Sequence, residues 1–226
     1  MLGYKGFDAD LNCLGFRYEI GKTYTMDSQD IKLCEQGFHF CRIPIDVFRY
    51  YYKPYDKYAI VQAQDKIIDD VDKSVTNHLT IVKLITKEEL IQATNGLFVR
   101  HNGDKEWYQN GVLQRTDKDL NGFSLPAKEY VNGTKKWYQN GRLHRLDGPA
   151  CEYSTGERSW YKNGQLHRKN GPAIECANGD KYWYQNGKLH REDGPAIEYV
   201  YGGKYWYQND LACYHKDGTP AEASIS

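Results

Sequence analysis

The chain has 226 residues, with 30 Lys and Arg against 30 Asp and Glu, and 20 of its residues are tyrosine. The resulting net charge of zero argues against a protein that holds nucleic acid by general basicity, because such domains carry a clear excess of Lys and Arg. No apolar run is long enough to cross a bilayer and the first twenty residues lack an apolar signal core, so we expect a soluble, cytoplasmic protein without a membrane partner.

Residues 1–95 predict an α+β head domain. Strand-like segments come first, and they include GYKGF, CLGFRYEIGKTYTM and GFHFC, the last at residues 37–41. A helix is predicted at residues 44–52, because proline stands in its first turn and aromatic residues recur one turn apart. The apolar segments at residues 58–63 and 78–85 are then predicted to be strands.

One group of residues in the head has the composition of a metal site. Cys13, Cys34, His39 and Cys41 could supply a Cys₃His set for zinc, with His39 and Cys41 on one strand face. Their spacing lacks the C-x₂-C knuckle of most structural zinc sites, and all six cysteines are dispersed. Buried, reduced cysteines are therefore the favoured interpretation, zinc is the alternative, and no cofactor is predicted.

Two resemblances concern the head. The strings GYKGFDADLNCLGF and LCEQGFHFC resemble an N-terminal module of phage and prophage proteins. The order of GFHFC, helix, YAIVQA and HLTIVKLI is more distantly similar to ADP-ribosyltransferase-like folds, whose strands surround NAD. That second resemblance implies a nucleotide-binding cleft.

The same resemblance argues against a working transferase. In that family a glutamate near the start of the later strand polarises the ribose hydroxyl, and the matching position here is His78. Glu88 and Glu89 follow ten residues later, on a helix predicted to begin at Thr86 and Lys87. The resemblance thus implies an active site that is lost or repurposed.

Residues 96–226 predict a second domain built from a repeat. The Trp-Tyr pair recurs at intervals of 30, 23, 23 and 23 residues, and the first interval carries a seven-residue insertion between Gln114 and Ala127. Each unit combines an aromatic strand, an Asn-Gly pair suited to a type I′ turn, and a return that reads H-R-x-D-G-P-A or a close variant. The tryptophans are Trp107, Trp137, Trp160, Trp183 and Trp206.

A single hairpin cannot bury its own face, so the repeats are predicted to stack into an all-β sheet of hairpins. The last unit is irregular, because Asn209-Asp210 replaces Asn-Gly and residues 214–221 are out of register, as is typical of a cap. With its aromatic strand, Asn-Gly turn and Gly-containing return, the 23-residue unit resembles the MORN repeat family over residues 97–221. Its L-H-R-x-D-G-P-A return is similar to a version found in bacteriophages and giant viruses.

The repeated polar and aromatic side chains are the predicted binding candidates. Imidazoles about 10 Å apart cannot share one metal ion, so His and Arg are expected to join adjacent hairpins and pair with a Glu row, or else to form a stripe that contacts a partner. The tyrosines could cover the sheet or stack on a ligand. The candidates are His144, His167, His190, Arg145, Arg168, Arg191, Tyr138, Tyr161, Tyr184 and Tyr207.

The chain has no Walker loop, G-x-S-x-G, H-E-x-x-H or paired-carboxylate motif, which disfavours an enzyme. The leading hypothesis is a non-enzymatic phage or prophage protein that binds a host protein in the bacterial cytoplasm and inhibits a host process such as a defence system. One alternative is a head domain that binds or sequesters a small nucleotide, and another is a structural component of the virion. The charge balance disfavours a nucleic-acid partner.

Overall fold

The computed structural model describes residues 1–33, 35–51, 53 and 56–212. The chain divides into two compact units. The first comprises Met1–Asp104 with Tyr108–Val112, and the second comprises Lys105–Trp107 with the chain from Leu113 onward. Within the described residues, neither helix has the length and apolarity that crossing a membrane requires.

The first unit is an antiparallel sheet of five strands with a small additional hairpin. Its strands are β1 (Leu2–Phe7), β2 (Asn12–Cys13), β3 (Phe16–Arg17), β4 (Thr23–Thr25), β5 (Phe38–Phe40), β6 (Lys57–Asp69), β7 (Ser74–Ile85) and β8 (Gly96–Val99). In the sheet the order is β1-β6-β7-β4 and β5 also pairs with β7, while β2 pairs with β3 in the hairpin and β8 belongs to neither. Fully buried side chains from β1, β6 and β7, such as Phe7, Val61 and Leu79, form the core.

The α+β class predicted for the head is not supported, because helices are scarce in its described residues. They are a six-residue 3₁₀ helix, Pro44–Arg49, and one short α-helix, α1 (Lys87–Ala93). The segment predicted as a helix at 44–52 thus ends early. Its Val47, Phe48 and Tyr50 are β-branched or aromatic and weaken helix propensity. The predicted strands at 37–41, 58–63 and 78–85 are confirmed, with longer bounds in β6 and β7.

The second unit is all β, as the repeat predicts. Its strands, counted from the one that begins at Lys105, are β9 (Lys105–Gln109), β10 (Val112–Leu113), β11 (Lys128–Glu129), β12 (Lys135–Lys136), β13 (Tyr138–Gln139), β14 (Arg142–Leu143), β15 (Cys151–Glu152), β16 (Arg158–Ser159), β17 (Tyr161–Lys162), β18 (Gln165–Leu166), β19 (Ile174–Glu175), β20 (Lys181–Tyr182), β21 (Tyr184–Gln185), β22 (Lys188–Leu189), β23 (Ile197–Glu198), β24 (Lys204–Tyr205), β25 (Tyr207–Gln208) and β26 (Leu211–Ala212). The main sheet has the order β10-β9-β11-β12-β15-β16-β19-β20-β23-β24. Four separate hairpins pair β13 with β14, β17 with β18, β21 with β22, and β25 with β26.

The predicted Asn-Gly turns are confirmed by their backbone angles. In all four pairs the Asn φ lies between 49° and 53° and the Gly φ between 71° and 85°, which a type I′ turn requires. Asn209 and Asp210 take the same conformation, with φ of 52° and 69°, so the last hairpin forms without glycine. The predicted irregular segment at 214–221 lies outside the described residues.

From Trp137 onward, each repeat divides at its tryptophan between the main sheet and a separate hairpin. At Trp137 the backbone N–H donates to Ala150 O (2.8 Å), while the backbone O accepts from His144 N (3.1 Å). The sequence predicts a single sheet of hairpins, whereas the structure gives a main sheet with a second row of hairpins beside it. Successive hairpins are joined by backbone bonds such as Gly164 N to Leu143 O (2.8 Å).

The alanine that follows the proline of each return is buried and hydrogen-bonded to neighbouring segments, as Ala150 is to Trp137 and Ser159. Ala127, Ala150, Ala173 and Ala196 are between 0% and 1% exposed. We expect Ala150→Leu to lower the free energy of unfolding by about 1–3 kcal/mol, because a larger side chain forces the bonded segments apart. Urea unfolding measures this change.

Ala212→Leu is the matched control for this prediction, because Ala212 is exposed on β26. It should change stability by less than about 0.5 kcal/mol. Equal effects of the two substitutions would show that close packing at the alanine positions is unimportant.

Candidate functional site

The repeat arginines are bound within their own repeats. The guanidinium of Arg145 lies 4.0 Å from the ring centroid of Trp137 and donates to Pro149 O (3.2 Å) and Glu152 Oε1 (3.1 Å). Arg168 and Arg191 repeat this arrangement over their own tryptophans at 3.7 and 4.1 Å. The ion pairs to the Glu row that the sequence predicts are therefore present.

The neighbouring glycine and aspartate of the return complete this arrangement. A Cβ on Gly148 would lie 2.9 Å from Arg145 Cζ, so a larger residue there would require the guanidinium to shift. Asp147 Oδ1 accepts from Arg145 Nε at 2.6 Å. Burial alone would raise the pKa of Asp147, but bonds from the Ser124 amide and Arg145 hold it below its ordinary value.

The repeat histidines join adjacent hairpins, as one of the two interpretations expects. His144 Nδ1 accepts from the Asn163 backbone N–H at 3.1 Å, and His167 Nδ1 accepts from that of Asn186 at 3.2 Å. At the third position, His190 Nδ1 is buried and has no hydrogen-bond partner among the described residues. Two of the three imidazoles thus hold the next Asn-Gly turn in place.

The strand register gives the main sheet one face with alternating charges, here called the ladder face. Directly paired positions alternate in sign across the sheet, and each basic residue lies between carboxylates wherever it has two neighbours. The row consists of Lys105, Glu129, Lys135, Glu152, Arg158, Glu175, Lys181, Glu198 and Lys204. Because Arg145 bonds Glu152, the tryptophans and repeat arginines share this face.

The opposite face of the sheet carries tyrosines and is here called the tyrosine face. Its paired row runs through Lys136, Cys151, Ser159, Ile174, Tyr182, Ile197 and Tyr205. Lys136 Nζ lies over the rings of Tyr130 and Tyr153, at 5.4 and 5.6 Å from their centroids. This face therefore changes from lysine-covered tyrosines at its start to aliphatic and aromatic residues at its end.

Four tyrosines meet at that end, and we call them the tyrosine cluster. Tyr199 contacts Tyr182 and Tyr205 edge to face, with centroids 6.1 and 5.9 Å apart, and stacks on Tyr201 at 5.3 Å with planes 6° apart. Tyr201 is 79% exposed and Tyr205 is 44% exposed. Burial and the bond to Tyr199 raise the pKa of Tyr182 to about 12, so it is neutral at physiological pH.

The tyrosine row predicted from the sequence to bind a partner is a different one. Tyr138, Tyr161, Tyr184 and Tyr207 lie in the separate hairpins and are half-buried. Burial, followed by the neighbouring Tyr130, raises the pKa of Tyr138 to about 12. A role for this row in binding stays a prediction. Three of the four cluster tyrosines could have been found from composition, because Tyr199, Tyr201 and Tyr205 lie within seven positions.

The residues singled out in the head are only partly brought together. Cys13 and Cys41 are buried, and burial raises the pKa of Cys41 to about 12, while Cys34 lies outside the described residues. No three described His, Cys, Asp or Glu side chains are close enough to hold a metal ion.

The positions compared with ADP-ribosyltransferases have other contacts. On β7, His78 Nδ1 lies 2.9 Å from Asp65 Oδ2. Glu89 forms part of the cap at the start of α1. Its side chain accepts a hydrogen bond from Thr86 N (2.7 Å), and Thr86 Oγ1 accepts one from Glu89 N (3.1 Å). The predicted start of this helix at Thr86 and Lys87 is therefore confirmed.

Residues 1–93 match the model of the family described as domain of unknown function (DUF7666). No curated protein and no solved structure matches the chain. The match covers most of the first unit and none of the repeats.

Proposed function

We propose that this chain is a non-enzymatic interaction protein of phage or prophage origin, that its MORN-like repeats bind a host protein through the tyrosine face, and that binding inhibits a host process such as a defence system. The observation that carries the proposal is the exposed tyrosine cluster. Tyr182, Tyr199, Tyr201 and Tyr205 place large, rigid and amphipathic rings side by side. Tyrosine is enriched among the residues that dominate binding energy at protein interfaces.

The contrast between the two faces supports the choice of surface. On the ladder face, charges are paired across strands, and the repeat arginines are held by tryptophan, carbonyl and carboxylate groups of their own repeat. A repeat arginine that bound a partner instead would lose these contacts within its own repeat. Tyr201 and Val200, at 79% and 64% exposure, can be covered at no such cost.

The charge pattern favours a protein over a nucleic acid. The ladder face alternates in sign, and the whole chain has zero net charge, so no continuous basic row could replace the counterions of a phosphate backbone. Aromatic contact and shape would then provide most of the affinity, and binding should depend only weakly on salt.

The direct test compares proteins captured from bacterial lysate by the full chain and by a Tyr201→Ser/Tyr205→Ser variant. We expect one host protein to be captured by the wild type and its affinity for the double variant to fall at least about tenfold, since truncation of interface tyrosines typically costs more than 1 kcal/mol. Quantitative mass spectrometry identifies the protein, and titration with the purified partner measures the affinity.

A Leu120→Ser/Leu146→Ser variant serves as the control, because both leucines are highly exposed in loops of the repeats, at 106% and 81%. It removes a similar amount of exposed apolar surface outside the cluster and should bind like the wild type. The proposal fails if no protein is lost with the tyrosine variant, or if the leucine variant loses the same protein.

A further inference from the structure

The first unit contains a cleft of about 360 Å³ beside the 3₁₀ helix, β1 and β5. A volume of this size lies within the range of small-molecule sites in proteins. Most of its wall is apolar or aromatic, and Phe40, Val47, Tyr50 and Tyr51 contribute to it. A second cavity of about 310 Å³ shares Lys5, Cys13, Leu14 and His39 with the first and adds Phe16 and Phe38.

Lys5 is the unusual member of this wall. It is only 3% exposed, although lysine is almost never buried without a counter-ion. Its Nζ donates to His39 O at 2.6 Å and to Cys13 Sγ at 3.2 Å. Among the described residues it has no carboxylate partner and uses two of its three N–H donors.

The other titratable groups of the cleft do not supply the missing negative charge. Lys73 and His39 also line it, and no Asp or Glu is among its described lining residues. Glu35 lines the second cavity, where it pairs with Lys32 at 3.7 Å. Burial, and then the charges of Lys5 and Lys73, lower the pKa of His39. Asp72, outside the lining, already accepts from Tyr50 Oη at 2.8 Å and from Arg49 Nη1 at 3.1 Å.

We propose that this cleft binds a small organic anion with an aromatic or apolar body, whose negative group pairs with Lys5 and Lys73. Burial lowers the pKa of Lys5 and so disfavours its charged form, and an anionic ligand would favour that form again when it binds. The aromatic wall provides contact area for the body of the ligand, while the two lysines select for its charge. The site is separate from the tyrosine face and does not depend on it.

A purely structural role for Lys5 predicts a different outcome. If its bonds to His39 O and Cys13 Sγ were there to stabilise the sheet, Lys5→Met would destabilise the protein. If the lysine is kept for a ligand, Lys5→Met removes a buried amine that has no counter-ion, and the melting temperature of the unliganded protein should stay the same or rise.

The test uses the full chain and two fluorescent probes with the same aromatic body, anilinonaphthalene sulfonate and neutral N-phenylnaphthylamine. We expect the sulfonate to bind with one site per chain and at least about tenfold more tightly than the neutral probe. Lys5→Met and Lys73→Met should each weaken the sulfonate at least about tenfold, because each removes a cation that pairs with it. Displacement by adenosine monophosphate or by indole acetate then distinguishes a phosphate ligand from a carboxylate ligand.

Lys83→Met is the matched control, because Lys83 is exposed on β7 and does not line the cleft. It should bind both probes like the wild type. The proposal is overturned if the neutral probe binds as tightly as the sulfonate, or if Lys5→Met binds the sulfonate normally. If Lys5→Met does not fold, undiminished sulfonate binding by Lys73→Met overturns it.

Discussion

Replacing Asp46 with alanine is expected to lower the free energy of unfolding of the first unit by about 3–5 kcal/mol. Asp46 lies on the 3₁₀ helix with its side chain 2% exposed, and it pairs with Arg100, whose side chain is 5% exposed. Arg100 also donates to Val71 O at 3.2 Å and so joins three separate segments of the chain. Removing the carboxylate leaves a guanidinium buried without its counter-ion, which costs more than the contact itself contributes. Urea unfolding, followed by hydrogen exchange of the amides in β6 and β7, measures the change.

Two further variants separate this cause from general damage to the helix. Arg49→Ala removes a mostly exposed partner of the same carboxylate and should cost less than about 1 kcal/mol. Asp46→Leu combined with Arg100→Met removes both charges and should recover much of the lost stability. A cost for Asp46→Ala no larger than that for Arg49→Ala would contradict the assignment.

The repeat could be predicted from the sequence because its signals are local. A type I′ turn needs positive φ at two successive residues, and the sequence supplies an Asn-Gly pair at four of the five hairpins that have these angles, with Asn209-Asp210 at the fifth. The period then aligns the strands, and cross-strand pairing of Lys or Arg with Glu follows from the register. The face on which a tyrosine lies depends on the point where the chain passes from the main sheet to a separate hairpin, at the tryptophan. Strand alternation alone does not show where that point is.

The head was harder to predict because its determinants are far apart in the sequence. Residues 44–52 have a proline and an aromatic spacing that predict a helix, but only a 3₁₀ helix forms, held by the pair between Asp46 and Arg100, 54 residues apart. In the same way, the alternating pattern of its strand predicts that Lys5 is an ordinary, exposed lysine. Only the three-dimensional placement of β5 and the cleft beside it shows that its ammonium is buried.

The second large effect is expected at Arg145, where we predict that alanine lowers the stability of the repeat unit by about 2–4 kcal/mol. Its side chain is 10% exposed and combines contact with the Trp137 ring at 4.0 Å with bonds to Asp147 Oδ1 (2.6 Å) and Glu152 Oε1 (3.1 Å). A desolvated cation–π contact contributes about 2 kcal/mol and a charged hydrogen bond about 1.5–3 kcal/mol, and the contributions are not additive. Arg145→Lys should recover less than half of the loss, since an ammonium cannot stack and bond in one plane.

Arg145 was also a predicted binding residue, so this variant separates structural from recognition roles. Arg142→Ala, at an exposed position of the same hairpin, is the control and should cost less than about 0.5 kcal/mol. Under conditions where Arg145→Ala remains folded, we expect it to bind the partner like the wild type, because the guanidinium is enclosed by its own repeat. Unchanged urea unfolding together with lost partner binding would instead assign Arg145 to recognition and place the binding surface on the ladder face.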